Sequence, residues 1–244
     1  ELDRERGEWL KMRYYKRMIY FYLMEGQTEI AFEWAEQGIQ ELSVASCRAK
    51  LAMFYADALM YRGAEPALQV MEECMKRDEE KLKIEKNYEL LLEMKAQLLS
   101  YYFLTGKRQE LAKGAEEFGD IFSIAYPQAK IEDYAEIKRE GPKRYGEIGW
   151  YYLALGKEDF AQQCFQKQWA MKSCIGCRSR HGCYRGYVNI ARYCEATKKY
   201  NRAICFYKEL LSQRHLPNHV QAKEALQRLQ KMPKGERGEE FRRW

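Results

Sequence analysis

Apolar residues recur at spacings of three and four along almost the whole chain, the periodicity of amphipathic helices, and the runs are divided by short breaks that carry glycine or proline. Residues 12–25 form one such run, Gly26-Gln27-Thr28 interrupts it, and residues 30–42 resume it. The unit recurs as 47–62, Gly63 and 66–75, with Pro66 in a first helical turn where its missing N–H costs least. Residues 82–105 then lead through Gly106-Lys107 into 109–118, and a further helix is expected over 128–139, ended by Gly141-Pro142. Two more hairpins follow, 145–155 with 159–171 across Gly156-Lys157, and 184–197 with 201–213 across Lys198-Lys199. A last helix over 220–232 precedes a polar tail, 233–244. No run of alternating β-branched residues competes with this reading, so the expected fold is all-α. Each hairpin is amphipathic and cannot bury its apolar face alone, so neighbours must stack, as a single domain over 1–232.

Composition agrees with a folded helical chain: 46% of residues are apolar, 32% are charged, and there are only 5 prolines. The longest apolar stretches, such as 18–24, are about one third of a bilayer crossing, so no membrane span is expected. The charged opening Glu1-Leu2-Asp3-Arg4-Glu5-Arg6 lacks the apolar core of a secretory signal. A surplus of 42 basic over 36 acidic residues suits acidic partners but falls far short of a nucleic-acid signature, and no direct nucleic-acid contact is expected. The 8 cysteines are too sparse for a disulfide scaffold, which makes a reducing, cytoplasmic setting the default. No phosphate-binding glycine loop, nucleophile elbow or His-Glu-x-x-His helix occurs, and 3 histidines are a small supply for acid–base chemistry. Enzymatic activity is not expected.

Two hairpins carry a recognisable pattern. In Gly149-Trp150-Tyr151-Tyr152-Leu153-Ala154-Leu155-Gly156-Lys157 a small residue is followed by an aromatic three on and then by a turn glycine, with Ala161 and Phe165 on the second helix. Ala191, Tyr200, Ala203 and Tyr207 repeat the scheme, with Lys198 in place of the turn glycine. This pattern resembles the tetratricopeptide repeat, in which small residues let two helices cross closely and aromatics fill the gap to the next repeat. The first and third hairpins match more loosely, the second with a shift of register. The turn glycines lie at unequal intervals, all longer than the family's period of about 34 residues. The resemblance implies a right-handed superhelical stack of five to six hairpins.

It also implies a binding surface. Ligands of that family lie against the first helices of successive hairpins, where side chains three and four apart share a face. In this register Arg13, Lys16, Arg17 and Tyr20 come from the first hairpin, Lys50 and Phe54 from the second, Trp150 from the fourth, and Arg185, Asn189 and Arg192 from the fifth. Asn189 falls where the family often holds a peptide backbone or terminal carboxylate. Such a groove suits an extended peptide or protein segment of acidic character.

One local motif rises above the scaffold. The stretch 172–183 is an insertion between the fourth and fifth hairpins and holds Cys174, Cys177, His181 and Cys183. Three thiols and an imidazole within so short a span offer a tetrahedral zinc set, with Cys164 or Cys194 as alternative ligands. Redox-active thiols and plain loop packing are the other readings, and Arg178, Arg180 and Arg185 favour the thiolates that the first two require. Three functional classes therefore stand open. The first is a non-catalytic peptide- or protein-binding scaffold. The second is the ligand-sensing and dimerisation domain of a bacterial transcription regulator whose helix-turn-helix lies upstream, since such regulators join DNA-binding domains to similar repeats. The third is a zinc- or redox-responsive module. Self-association is expected wherever the stack ends uncapped, with residues 220–232 as a cap or a dimer contact.

Overall fold

The computed structural model describes residues 2–60, 62–137, 141–170, 184–212 and 219–237, and among them every regular element is a helix. No described helix is long and apolar enough to cross a membrane. The chain folds as two compact units, Glu1–Tyr101 and Tyr102–Trp244.

The first unit holds α1 (Leu2–Met24), α2 (Thr28–Glu41), α3 (Ala45–Leu59), α4 (Ala64–Ile84) and the larger part of α5 (Tyr88–Thr105). Consecutive helices pack, α1 on α2, α2 on α3 and α3 on α4, and α1 also touches α3, the first helix of the next hairpin. Gly38 is what allows the α2 crossing to be so close. A Cβ there would stand 2.6 Å from Leu51 and 2.7 Å from Tyr15. Two polar devices fix the helix ends. The Glu8 carboxylate on α1 accepts the backbone N–H groups of Ser43, at 2.6 Å, and Val44, at 3.2 Å, and so caps the start of α3. Burial raises the Glu8 pKa, but those N–H groups and Lys11 outweigh it, and the net shift is downward. Deeper in, the Arg48 guanidinium on α3 forms a fork with the Asp78 carboxylate on α4 and donates to the Leu42 carbonyl at 2.5 Å. Asp78 is wholly buried and Arg48 nearly so.

The second unit runs from α6 (Arg108–Ala125) through a 3-10 turn at Ile131–Asp133, the single turn α7 (Tyr134–Ile137), α8 (Gly141–Ala154), α9 (Glu158–Ala170), α10 (Tyr184–Ala196), α11 (Tyr200–Ser212) and α12 (His219–Lys231). Here α8 packs on α9, α9 on α10, α10 on α11 and α11 on α12, while α8 also touches α10. The core between them is aromatic. Trp150 meets Phe165 edge-on at 5.0 Å, and Phe165 leans on Tyr193 at 5.3 Å. Gly149 leaves the room Phe165 needs, since a Cβ there would lie 2.6 Å from its ring.

One turn recurs in both units. Gly26, Gly106 and Gly156 take φ of 73°, 74° and 73°, and Lys86 and Lys198 take 53° and 57°. In each case the next residue's N–H reaches back across the helix end, as Gln27 to Tyr22, Asn87 to Leu82, Lys107 to Tyr102, Lys157 to Tyr152 and Lys199 to Cys194. The same residue's carbonyl then receives the first bond of the following helix, from Ala31, Leu91, Leu111, Ala161 and Ala203. This is a Schellman closure joined directly to a helix start, and the alanines at three of the five sites are fully buried where the paired helices cross.

The structure corrects several expected boundaries. Residues 82–105 are not one helix, because Lys86-Asn87 is a turn of this kind. Helix α1 starts well before residue 12, its first turns held by Glu8 and by Arg4, which donates to Ser43. Instead of a full helix over 128–139 there is a 3-10 turn and one α-turn, and Gly141-Pro142 opens α8 where it was expected to end a helix, a position that suits proline. The start of the expected polar tail is tied down. Arg237 donates to the Met232 carbonyl at 2.8 Å, and its own carbonyl accepts the Asn201 N–H at 3.2 Å.

Candidate binding surface

Helices α1, α3 and α5 bring the first unit's candidate residues to one face. Trp9, Arg13, Lys16 and Tyr20 follow one another at helical spacing on α1. The Lys16 ammonium sits 4.8 Å from the centre of the Phe54 ring on α3, so two residues predicted from separate hairpins do meet. One turn from Lys16, the Arg13 guanidinium lies 4.6 Å over Trp9. Lys50 precedes Phe54 by one turn and is exposed, and Tyr20 is half-buried. Beyond Phe54 the face continues onto α5. Gln97 donates to the Met53 carbonyl at 3.0 Å, and the Tyr101 hydroxyl donates to Asp57 at 3.3 Å. A cation over a ring is held by the charge on the ring face, while the ring edge offers apolar contact. Basic and aromatic groups therefore alternate over α1 and α3, and α5 adds the Gln97 amide.

Arg17 parts company with the set. Its position on α1 places it with Leu10, Tyr14, Phe21 and Met24, away from Lys16 and α3. Trp9, Gln97 and Asp57 are members that the sequence reading missed, while Tyr101, fully buried, holds Asp57 from the core side. Trp9 lies ahead of the expected helix start, and the α5 residues were obscured by the unrecognised Lys86 turn.

In the second unit the predicted residues serve packing more than solvent contact. Trp150 is only 4% exposed and belongs to the core through its edge-on contact with Phe165, so it is corrected from a groove contact to a packing residue. Arg192 is buried too, at 6%, and does not present a free cation. Asn189 is half-buried, and its amide donates to the Gln168 side chain at 2.9 Å, close beside Gly146. Gln168 and the Arg144–Glu147 ion pair, 2.9 Å across, make the interior of α8 and α9 polar near that amide. The Arg185 side chain and the metal candidates Cys174, Cys177, His181 and Cys183 lie outside the described residues. Of the alternative ligands, burial pushes the Cys164 thiol up to about 11 and that of Cys194 up to about 12, which keeps both protonated at neutral pH. Among the described residues no three histidine, cysteine or acidic side chains gather as a metal site.

Tyrosine–carboxylate bonds hold these helices in register. Tyr193 on α10 donates to Glu158 on α9 at 3.0 Å, Tyr207 on α11 to Glu195 on α10 at 2.7 Å, and Arg228 on α12 reaches Glu195 at 2.6 Å. No family model matches the chain, and no curated protein does so either.

Proposed function

We propose that the chain is a non-catalytic, tetratricopeptide-like scaffold that binds an extended, acidic peptide or protein segment along the inner face of α1, α3 and α5. The observation that carries this reading is Lys16 over Phe54, a basic and an aromatic group from the first helices of successive hairpins brought together on one surface. Contacts of α1 with α3 and of α8 with α10 support a stack in which first helices face first helices, as the repeat's superhelix requires. The recurrent turn with its buried small residue supports it as well. An acidic segment laid across Arg13, Lys16 and Lys50 gains charge-assisted hydrogen bonds, and its apolar side chains find Trp9 and Phe54.

The test is a random peptide library displayed on phage and selected on the immobilised intact chain. Recovered peptides should be rich in Asp and Glu with interspersed apolar residues. Their binding should fall at least about tenfold on Lys16→Glu or Phe54→Ala, the scale of losing one central contact. Recovery of basic peptides, or acidic ones indifferent to both substitutions, would refute the assignment.

A further inference from the structure

The opposite side of the first hairpin has no role in that reading. Of the ten large apolar side chains that stand exposed among the described residues, six belong to α1 and α2: Trp9, Leu10, Tyr14, Phe21, Met24 and Ile30. All but Trp9 lie on the outer surface, where Leu10 and Phe21 are each 54% exposed. Among them Tyr14 meets the half-buried Trp34 edge-on at 5.7 Å, and Trp34 stacks at 6.4 Å on Tyr22, which the Phe21 ring touches at 5.3 Å. Large exposed apolar patches on folded domains mark interaction surfaces.

Charge on this patch narrows the occupant. Arg17 lies within the α1 stripe and Glu33 on α2, and both are exposed. Neither makes an ion pair or side-chain hydrogen bond with any described residue. Their distances from the Gly26 turn are similar, so they stand at nearly the same height on two antiparallel helices. A surface with a cation on one helix, an anion on the other, neither with a described partner, and apolar side chains about them is complementary to itself under a two-fold rotation.

We infer that this face joins two copies of the chain, α1 of one lying on α2 of the other. Leu10, Tyr14, Arg17, Phe21 and Met24 alternate in steps of four and three, the seam of paired helices. Pairing α1 with α1 about its middle would oppose Arg17 to Arg17. Pairing α1 with α2 sets Arg17 against Glu33 of the partner twice over and places Phe21 over Ile30, which is the arrangement the charges select. The result is a four-helix contact that leaves Lys16 and Phe54 uncovered on the other side of α1, so the dimer and the peptide face operate independently.

Sedimentation velocity of the intact chain over a dilution series decides the matter. A reversible two-chain species is expected at micromolar concentration. Arg17→Glu and Glu33→Arg should each raise its dissociation constant about tenfold or more, while the double reversal should return it to within about threefold of the starting value. Phe21→Asp should abolish association with unchanged helicity, because Phe21 is an exposed side chain, and Ile84→Asp, at an exposed site on α4, should leave association intact. A single-chain mass at every concentration would overturn the inference and leave the patch to a different partner. So would a dimer indifferent to Phe21→Asp, or one that the double reversal fails to restore.

Discussion

Replacing Asp78 by alanine strands the Arg48 guanidinium among Cys74, Leu42 and the α3–α4 core. Two of the bonds Arg48 makes go to the Asp78 carboxylate, and the third goes to the Leu42 carbonyl at the end of α2. One ion pair thus ties three helices. Removing one partner of a buried pair costs about 3–5 kcal/mol, because the other charge remains out of water without compensation. With an m-value of about 2.5 kcal/mol/M in urea, the unfolding midpoint of the first unit should fall by about 1–2 M. Far-UV circular dichroism gives the midpoint, and amide exchange should show the lost protection concentrated in α3 and α4. The double replacement Arg48→Met with Asp78→Leu separates charge from shape. It fills the space without burying a charge and should recover most of the loss. A cost below about 1 kcal/mol for Asp78→Ala would mean that the pair is hydrated and that this account of the α2–α3–α4 junction is wrong.

Four further outcomes are expected. Gly149→Ala should destabilise the second unit by about 1–3 kcal/mol, since the new methyl would meet the Phe165 ring at 2.6 Å; unchanged thermal unfolding would show that Phe165 yields freely. Lys198→Gly should stabilise by about 1 kcal/mol by relieving a left-handed backbone at φ 57°, and Lys86→Gly should act alike, both measured by urea titration. Because the folded pKa of Glu8 is depressed, its contribution is present above the ordinary carboxylate value of 4.5 and is lost as pH falls through the lower folded value. Glu8→Gln should therefore lower stability at pH 7 and flatten the acid limb of the pH–stability curve. Finally, with burial raising their thiols to about 11 and about 12, Cys74 and Cys194 should alkylate at pH 7.5 far more slowly in the native chain than in urea, as peptide mapping of the products would report.

The helices were legible because their apolar period is strong and glycine marks most of the breaks. The Lys86 and Lys198 turns show where that signal ends. Both have the backbone of the glycine turns, yet only Lys198 lies where the repeat pattern pointed to it, and the Lys86 break was lost inside an apparently continuous helix. At Trp150 helical spacing alone misled, since the position looked like part of the inner face while the space beside Gly149 drew the indole onto Phe165. Spacing tells which residues share a face, not which face meets a neighbour. For Arg17 the same limit applied: three residues of the predicted set, Arg13, Lys16 and Tyr20, lie toward α3, and Arg17, one position past Lys16, turns outward.

That one-residue difference organises the first hairpin. Lys16 meets Phe54 on the inside, while Arg17 stands within an outer apolar stripe with no described partner. A helix face with no neighbour to cover is ordinarily polar, since exposed apolar surface invites association. Instead α1 places Leu10, Tyr14 and Phe21 in water. The hydrophobic contribution of burying them is available only to a second surface, and an unpaired Arg17 and Glu33 give that surface a required polarity. Two copies related by a two-fold axis satisfy both demands with no further component. In such a dimer the proposed peptide face would appear twice, and a ligand carrying two acidic segments would bind with the advantage of effective concentration, so that disrupting the Phe21 contact should weaken a divalent ligand while sparing a monovalent one.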